Sequence, residues 1–260
     1  MIKKTYKFSS ANVDVYFAAA FKQLNKIVDQ KKAILITDEN VFKAHKSKLK
    51  GWNVITIKAG EQYKIQPTAD AIVEQLIAFQ ADRSSVLVGV GGGVITDLTG
   101  YVASIYMRGI QFGFVPTSLL AMVDASIGGK NGVDLDHLKN QIGIIREPKV
   151  VLIDTHFLDS LPQNEMRSGL AEMLKHGLIY DKLYWNKFKH LNNLSTNDLN
   201  SLIHESIQIK NTIVSQDLTE NGIRKSLNFG HTLGHAIESY FLKNQNKESL
   251  LHGEAIAIGM

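Results

Sequence analysis

The chain has 260 residues, 44% of them hydrophobic, a formal net charge of +4 and no cysteine. This length suits two compact domains or one large one, and the hydrophobic content is that of a globular chain, not a disordered one. The lack of cysteine excludes disulfides and thiolate metal ligands, so any metal must be held by His, Asp or Glu. No apolar run approaches the roughly 20 residues that span a bilayer. Met1-Ile2-Lys3-Lys4 leads into Thr5-Tyr6-Lys7 without an apolar signal core, and a cytoplasmic location is expected. Lysines are spread along the chain with no dense basic run and no interleaved aromatics, so neither a nucleic acid nor a membrane is the expected partner.

In chain order, Ala33–Thr37 and Val54–Ile57 read as short buried strands, and Thr68–Phe79 has helical apolar spacing at Ala71, Ile72, Leu76 and Phe79. Val86–Val90 is the strongest strand and runs into Gly91-Gly92-Gly93. Phe112–Val115 and Val150–Ile153 read as further strands. Short apolar strands separated by helices predict a parallel sheet covered on both faces. After Leu161-Pro162 the strand pattern stops. Gln163–Ile179, Thr196–Gln216 and Ser226–Leu242 have helical periodicity, which predicts an α/β domain over 1–158 and an all-helical domain over 159–260. The chain stops at Gly259-Met260 within an apolar helical pattern that lacks a C-cap signal, so the helical domain is expected to be incomplete.

Gly91–Gly93 lies between a strand and an apolar helix. Glycines let the backbone approach a pyrophosphate, and the helix N-terminus offers unpaired N–H groups. The GxGxxG fingerprint is absent, and a tight structural turn is the alternative. Asp97, in the first turn of that helix, is otherwise dipole compensation. His231 and His235 are spaced to share one helix face, a common metal-ligand spacing, although aligned histidines without a metal have the same pattern. His252 adds an imidazole. Glu172 adds a carboxylate on an earlier helix, with Lys175 and His176 at the next turn. Two imidazoles and one carboxylate would leave a position open for substrate. Lys175 beside Glu172 also fits a surface ion pair. Gly128-Gly129-Lys130-Asn131-Gly132 reads as a mobile or tightly turned loop. Its lysine, with Lys139-Asn140, is either an anion contact or ordinary surface. Lys210, Asp217, Glu220, Arg224 and Asn228 form either a solvated loop or the wall of a phosphate and carboxylate pocket.

Together, Gly91–Gly100, Arg108-Gly109, Val115–Lys130, Lys139-Asn140, Gly169–Lys175, Lys210, Asn228–Glu238 and Leu251–Glu254 resemble the 3-dehydroquinate synthase family over nearly the whole chain. The resemblance implies a Rossmann-like NAD-binding α/β domain followed by an all-α domain for metal and substrate. It also implies the conversion of 3-deoxy-D-arabino-heptulosonate 7-phosphate to 3-dehydroquinate and phosphate in the shikimate pathway. The route would be transient oxidation by NAD, β-elimination, re-reduction and aldol cyclisation. A sibling sugar-phosphate cyclase, making 2-deoxy-scyllo-inosose or a valiolone, is the alternative; a metal-dependent polyol dehydrogenase and a non-catalytic fragment are more distant ones.

Residue by residue, the resemblance implies a zinc or cobalt ion on Glu172, His231 and His252, with His235 moved from the metal to the substrate. NAD would meet Asp38, Asn40, Glu61, Lys64, Gly92, Gly93, Val94, Asp97, Thr117, Ser118, Leu120, Asp124 and Lys139, with Phe157, Ser160, Leu161 and Glu165 closing the adenine and ribose side. The sugar phosphate would meet Asp124, Lys130, Lys139, Asn140, Lys175, Lys210, Arg224, Asn228 and His235, and Arg108 would reach it across a homodimer. A further substrate lysine is expected in a C-terminal stretch that this chain does not contain. Phe241–Leu250 reads as a surface-loop insertion.

Overall fold

A computed structural model describes residues 1–8, 11–135, 138–188, 196–243 and 250–260. The expected insertion falls mostly on 244–249, outside the described residues. Two strands open the chain, β1 (Ile2–Lys7) and β2 (Asn12–Phe17), paired antiparallel. Neither was legible as a buried run. β1 is a lysine-rich edge strand, which suits an exposed edge because charge discourages pairing with another chain. β2 buries Val13, Val15 and Phe17 on one face only.

The parallel part follows as β3 (Ala33–Asp38), α1 (Glu39–Leu49), β4 (Asn53–Ile57), α2 (Gln66–Ala78), β5 (Val86–Gly91), α3 (Gly93–Ile105) and β6 (Gln111–Pro116). A hairpin, β7 (Lys130–Leu135) with β8 (Leu138–Ile145), precedes β9 (Val150–Leu152). The seven-stranded sheet has the order β1-β2-β9-β6-β5-β3-β4, parallel throughout except for β1. Its central strands are buried on both faces. Ile34 and Ile36 of β3 join one apolar cluster while Leu35 joins the other, so each face has its own core. The chain runs from β3 outward to β4, then crosses back past β3 to β5. The carboxyl ends of β3 and β5 therefore border the crevice at which such sheets bind ligands.

The expectation of a loop at 128–132 is corrected. Gly128 (φ +96°) and Gly129 (φ +67°) make the sharp turn, and Lys130 already lies in β7, which packs on α3.

Beyond Pro162 every described element is helical: α4 (Gln163–Ile179), α5 (Lys182–Lys187), α6 (Thr196–Gln216), α7 (His231–Lys243) and α8 (His252–Gly259), besides a 3-10 turn at Ile223–Asn228. The single helix expected over 226–242 is broken at Phe229-Gly230. Gly230 has φ +80°, and a β-carbon there would stand 2.7 Å from the Met260 side chain and 2.9 Å from the Ile256 carbonyl. Only glycine satisfies both constraints, and the break makes His231 the first residue of α7. Among the described residues no helix is long and apolar enough to cross a membrane.

Candidate active site

At the crevice, Gly92 caps α3 in extended conformation without a side chain to satisfy the first N–H groups. The α3 N-terminus, opening on Gly93 and Val94, thus presents unpaired donors and the positive end of the helix dipole. Thr117 donates its N–H to the Gly91 carbonyl (2.9 Å). Ser118 Oγ, 3.4 Å from where a β-carbon on Gly92 would lie, accepts from Ala121 N–H. Across the crevice, Asp38 accepts from the N–H groups of Asn40 and Val41 (both 2.9 Å) and caps α1.

Asp97 is not a dipole-compensating surface residue. Its carboxylate meets Lys64 Nζ at 2.6 Å, and the same ammonium donates to Asn140 Oδ1 at 2.5 Å. Burial raises Asp97 to about 6, against the opposing pull of Lys64. Burial also disfavours the Lys64 ammonium, but Asp97 and Glu61 outweigh it and hold its pKa above the ordinary value. Lys139 stands 3.6 Å from Glu61. Glu61, Lys64, Asp97, Lys139 and Asn140 thus form one cluster joining the 61–64 turn, α3 and β8.

On the far side, the 155–160 turn places Ser160 Oγ 2.7 Å from His45 Nε2 of α1, a contact with no sequence signal. Phe157 is 1% exposed, packed between Phe21 and His45 in the core, so its ring lines the interior and not the crevice. Leu161 and Glu165 follow it into α4, both half-buried.

The second part of the site lies among α4, α7 and α8. Glu172 of α4 is fully buried, and its Oε1 stands 3.9 Å from both His231 Nε2 and His252 Nε2. That oxygen has no hydrogen-bond donor. His235 joins the same imidazole group, with ring centroids 5.2 Å from His231 and 5.8 Å from His252. A buried carboxylate oxygen without a donor, facing two imidazole nitrogens across a gap that two bonds of about 2 Å can bridge, fits a zinc-like cation. Burial raises the Glu172 carboxyl, with Lys175 opposing. Burial, then Lys175, lowers His231 to about 4, which keeps it neutral as a ligand must be. For His252 burial acts in the same direction, but Glu238 outweighs it and raises the imidazole.

Lys175 is not a surface residue. It pairs with Glu172 Oε2, and both side chains are almost wholly buried. Lys210 of α6 donates to the Asp124 carboxylate (2.5 Å) and carbonyl (2.6 Å). Burial alone would raise Asp124, but Lys210 and Lys175 hold it far below the usual carboxylate range. Leu120 begins the same turn, at its N-cap. His176, fully buried, meets Ser206 Oγ through Nδ1 (2.7 Å). Its Nε2 has no partner, and burial, then Lys175, lowers it to about 3.

The outer wall is built on Glu220, which holds both Lys130 and Asn228. Arg224 is 2% exposed and donates to the Gly128 (2.8 Å) and Leu218 (2.7 Å) carbonyls, so it ties the 218–224 loop to the Gly128 turn. Asp217 accepts from three backbone N–H groups and shapes that loop. Arg108 stands apart, exposed in a left-handed turn after α3, with φ +67°. The structure therefore brings Glu61, Lys64, Asp97, Lys139 and Asn140 together, and Glu172, Lys175, His231, His235 and His252 together, while Arg108 stands apart and the Phe157 ring lies in the core. Sequence reasoning missed His45 and Glu147, because lone carboxylates and histidines outside a motif give no spacing signal, and it gave Glu238 no role although that residue ends the Asn228–Glu238 motif.

Known proteins resemble this chain in sequence and in fold. Residues 54–168 match the family model for the N-terminal part of 3-dehydroquinate synthase, and residues 169–260 match that for its C-terminal part. The 3-dehydroquinate synthase of Nitratiruptor sp. is 46% identical over 208 residues, 80% of this chain and 58% of that protein. The one from Clostridium beijerinckii is 41% identical over 248 residues, 92% of this chain and 70% of that protein. The chain thus spans about three fifths to seven tenths of the length of such relatives. Among solved structures, a 2-deoxy-scyllo-inosose synthase complexed with carbaglucose-6-phosphate, NAD+ and Co2+ superposes with a TM-score of 0.86 at 27% identity, covering all of this chain and 75% of that one. A 2-epi-5-epi-valiolone synthase from Streptomyces hygroscopicus with NAD+ and Zn2+ bound gives the same TM-score, identity and coverages.

Proposed function

From the premise that this chain belongs to the 3-dehydroquinate synthase family, we propose that its protein converts 3-deoxy-D-arabino-heptulosonate 7-phosphate to 3-dehydroquinate and phosphate. The observation that carries the reading is the buried Glu172 oxygen facing His231 and His252, with Lys175 paired to the same carboxylate. When bound, NAD supplies transient oxidation and a divalent cation, zinc or cobalt, polarises substrate hydroxyl oxygens.

The chain's own residues do the rest. Glu172, His231 and His252 hold the cation. The α3 N-terminus at Gly92-Gly93-Val94 receives the dinucleotide pyrophosphate, and Asp38 and Asn40 lie where its ribose enters. Asp97 with Lys64, and Thr117, Ser118, Leu120 and Asp124, line the nicotinamide side. Lys130, Asn228 and Lys139-Asn140 bind carboxylate and phosphate oxygens, and Glu220 sets where Lys130 and Asn228 point. Lys175 and Lys210 keep positive potential beside the reacting carbon atoms, where a developing enolate needs it. His235 faces the leaving phosphate. Arg108, outside the pocket of its own chain, serves the site of a second copy in a homodimer. The change from strands to helices between Leu152 and Gln163 supports a division at 158/159, and the enzyme works in the cytoplasm.

The experiment is phosphate release from the heptulosonate 7-phosphate with NAD and Zn2+ or Co2+, using the full-length gene product and sedoheptulose 7-phosphate as control. Release from the acid alone, without lasting NADH, is the expected result. Release from the control alone transfers the chain to the sibling cyclases, and accumulating NADH points to a dehydrogenase.

A further inference from the structure

Glu238 is absent from the cluster of groups that would touch metal, cofactor or substrate, yet it is 5% exposed and occupied on both oxygens. It lies on α7 seven residues after His231 and three after His235, so the three side chains share one helix face. One carboxylate oxygen accepts from His252 Nδ1 at 3.3 Å. The other accepts from Lys139 Nζ at 3.2 Å, on β8 of the nucleotide-binding half. A carboxylate accepts from Nδ1 only when that nitrogen carries the proton; in the neutral ring this leaves Nε2, which faces Glu172, with its lone pair.

We infer that Glu238 is a positioning residue that fixes the tautomer and orientation of His252 for metal binding and ties that imidazole to Lys139 across the two halves of the chain. Carboxylates behind ligating histidines raise ligand basicity and lock the ring, and their loss lowers metal affinity about 10- to 100-fold. Here the same carboxylate has a second arm. Its hydrogen bond from Lys139 joins the metal centre to the crevice through one side chain.

The inference rests on the metal reading above, and the test separates the two. Co2+ is titrated into the metal-free chain and followed by its visible absorption, for the unmodified chain, His231→Ala, Glu238→Gln and Glu238→Ala, with thermal unfolding of each metal-free protein as the check on folding. Glu238→Ala should lose about 10- to 100-fold in Co2+ affinity and shift the absorption bands. Glu238→Gln, which keeps its shape and one accepting oxygen, should fall between it and the unmodified chain. A purely structural residue would lower the unfolding temperature and leave the bands and affinity of the folded protein unchanged, which overturns the inference. Loss in His231→Ala with unmodified affinity in both Glu238 variants overturns the inference alone. An unmodified chain that takes up no Co2+, or a His231→Ala variant with full affinity, overturns the metal reading and this inference with it.

Discussion

At the scale of single residues, the site is defined by buried charges that sequence spacing cannot rank. Glu172, Lys175 and His176 read equally well as an exposed ion pair with a stray histidine; burial makes the first two a charged pair in the core, with a neutral His176 beside them. Glu147 gave no signal at all. It is 7% exposed, lies just after β8 against the Gly129 turn, and leaves Oε1 without a hydrogen-bond partner. Burial raises it to about 7, against the pull of Arg224 and Lys210. The sign of its effect follows. Between its ordinary 4.5 and about 7 the folded chain keeps a proton that the unfolded chain has lost. The native state binds more protons there, so stability falls as pH rises through that window. The penalty is absent below the window and complete above it, at most about 3 kcal/mol. Glu147→Gln should remove that slope and gain on the unmodified chain as pH rises from 4.5 to about 8, measured by urea unfolding at a series of pH values. An unchanged pH dependence would show that Glu147 ionises normally.

At the scale of elements, the legible ones were those whose burial pattern is simple. β3, β5 and β6 lie between two helical layers, so they appear as continuous apolar runs, and the glycine turn after β5 announced α3. The sequence signal failed where packing is one-sided or where glycines hide the pattern. β1 and β2 carry lysines and polar residues on their open faces, and the β7–β8 hairpin pairs Gly132 with Gly143, leaving no alternation of side chains to read. The continuous helix expected over 226–242 failed for a third reason. Its apolar spacing continues across the 3-10 turn, while Gly230 reverses the backbone beneath it. This break sets where α7 starts, hence where His231 points. Gly230→Ala should destabilise the fold by about 1–3 kcal/mol, because φ +80° is strained for alanine and the methyl group would press on Ile256 and Met260. It should also weaken Co2+ binding by displacing the first turn of α7. Urea unfolding and a Co2+ titration check both effects; a variant as stable as its parent would mean that α7 tolerates a different start.

At the scale of the whole molecule, two halves with different architecture meet around one site. The sheet supplies the crevice at its topological switch, and the helices supply three imidazoles, a buried carboxylate and two buried lysines. The halves share one apolar cluster, in which Met122 and Ile127 lie with Met173 and Ile213, and polar contacts also cross: Lys139 with Glu238, Lys210 with Asp124, Arg224 with the Gly128 carbonyl. Each was invisible in the sequence because its partners lie roughly 90 residues apart, yet each joins the crevice to the pocket. The proposed chemistry at this junction draws on both halves, and its central claim is a cation held by Glu172, His231 and His252. The decisive measurement is the metal content of purified protein after exposure to Zn2+ and desalting, compared between the unmodified chain and a folded His231→Ala variant. One tightly held ion per chain is expected in the first and none in the second. Full zinc retention in His231→Ala would contradict it and move the metal off this set of ligands.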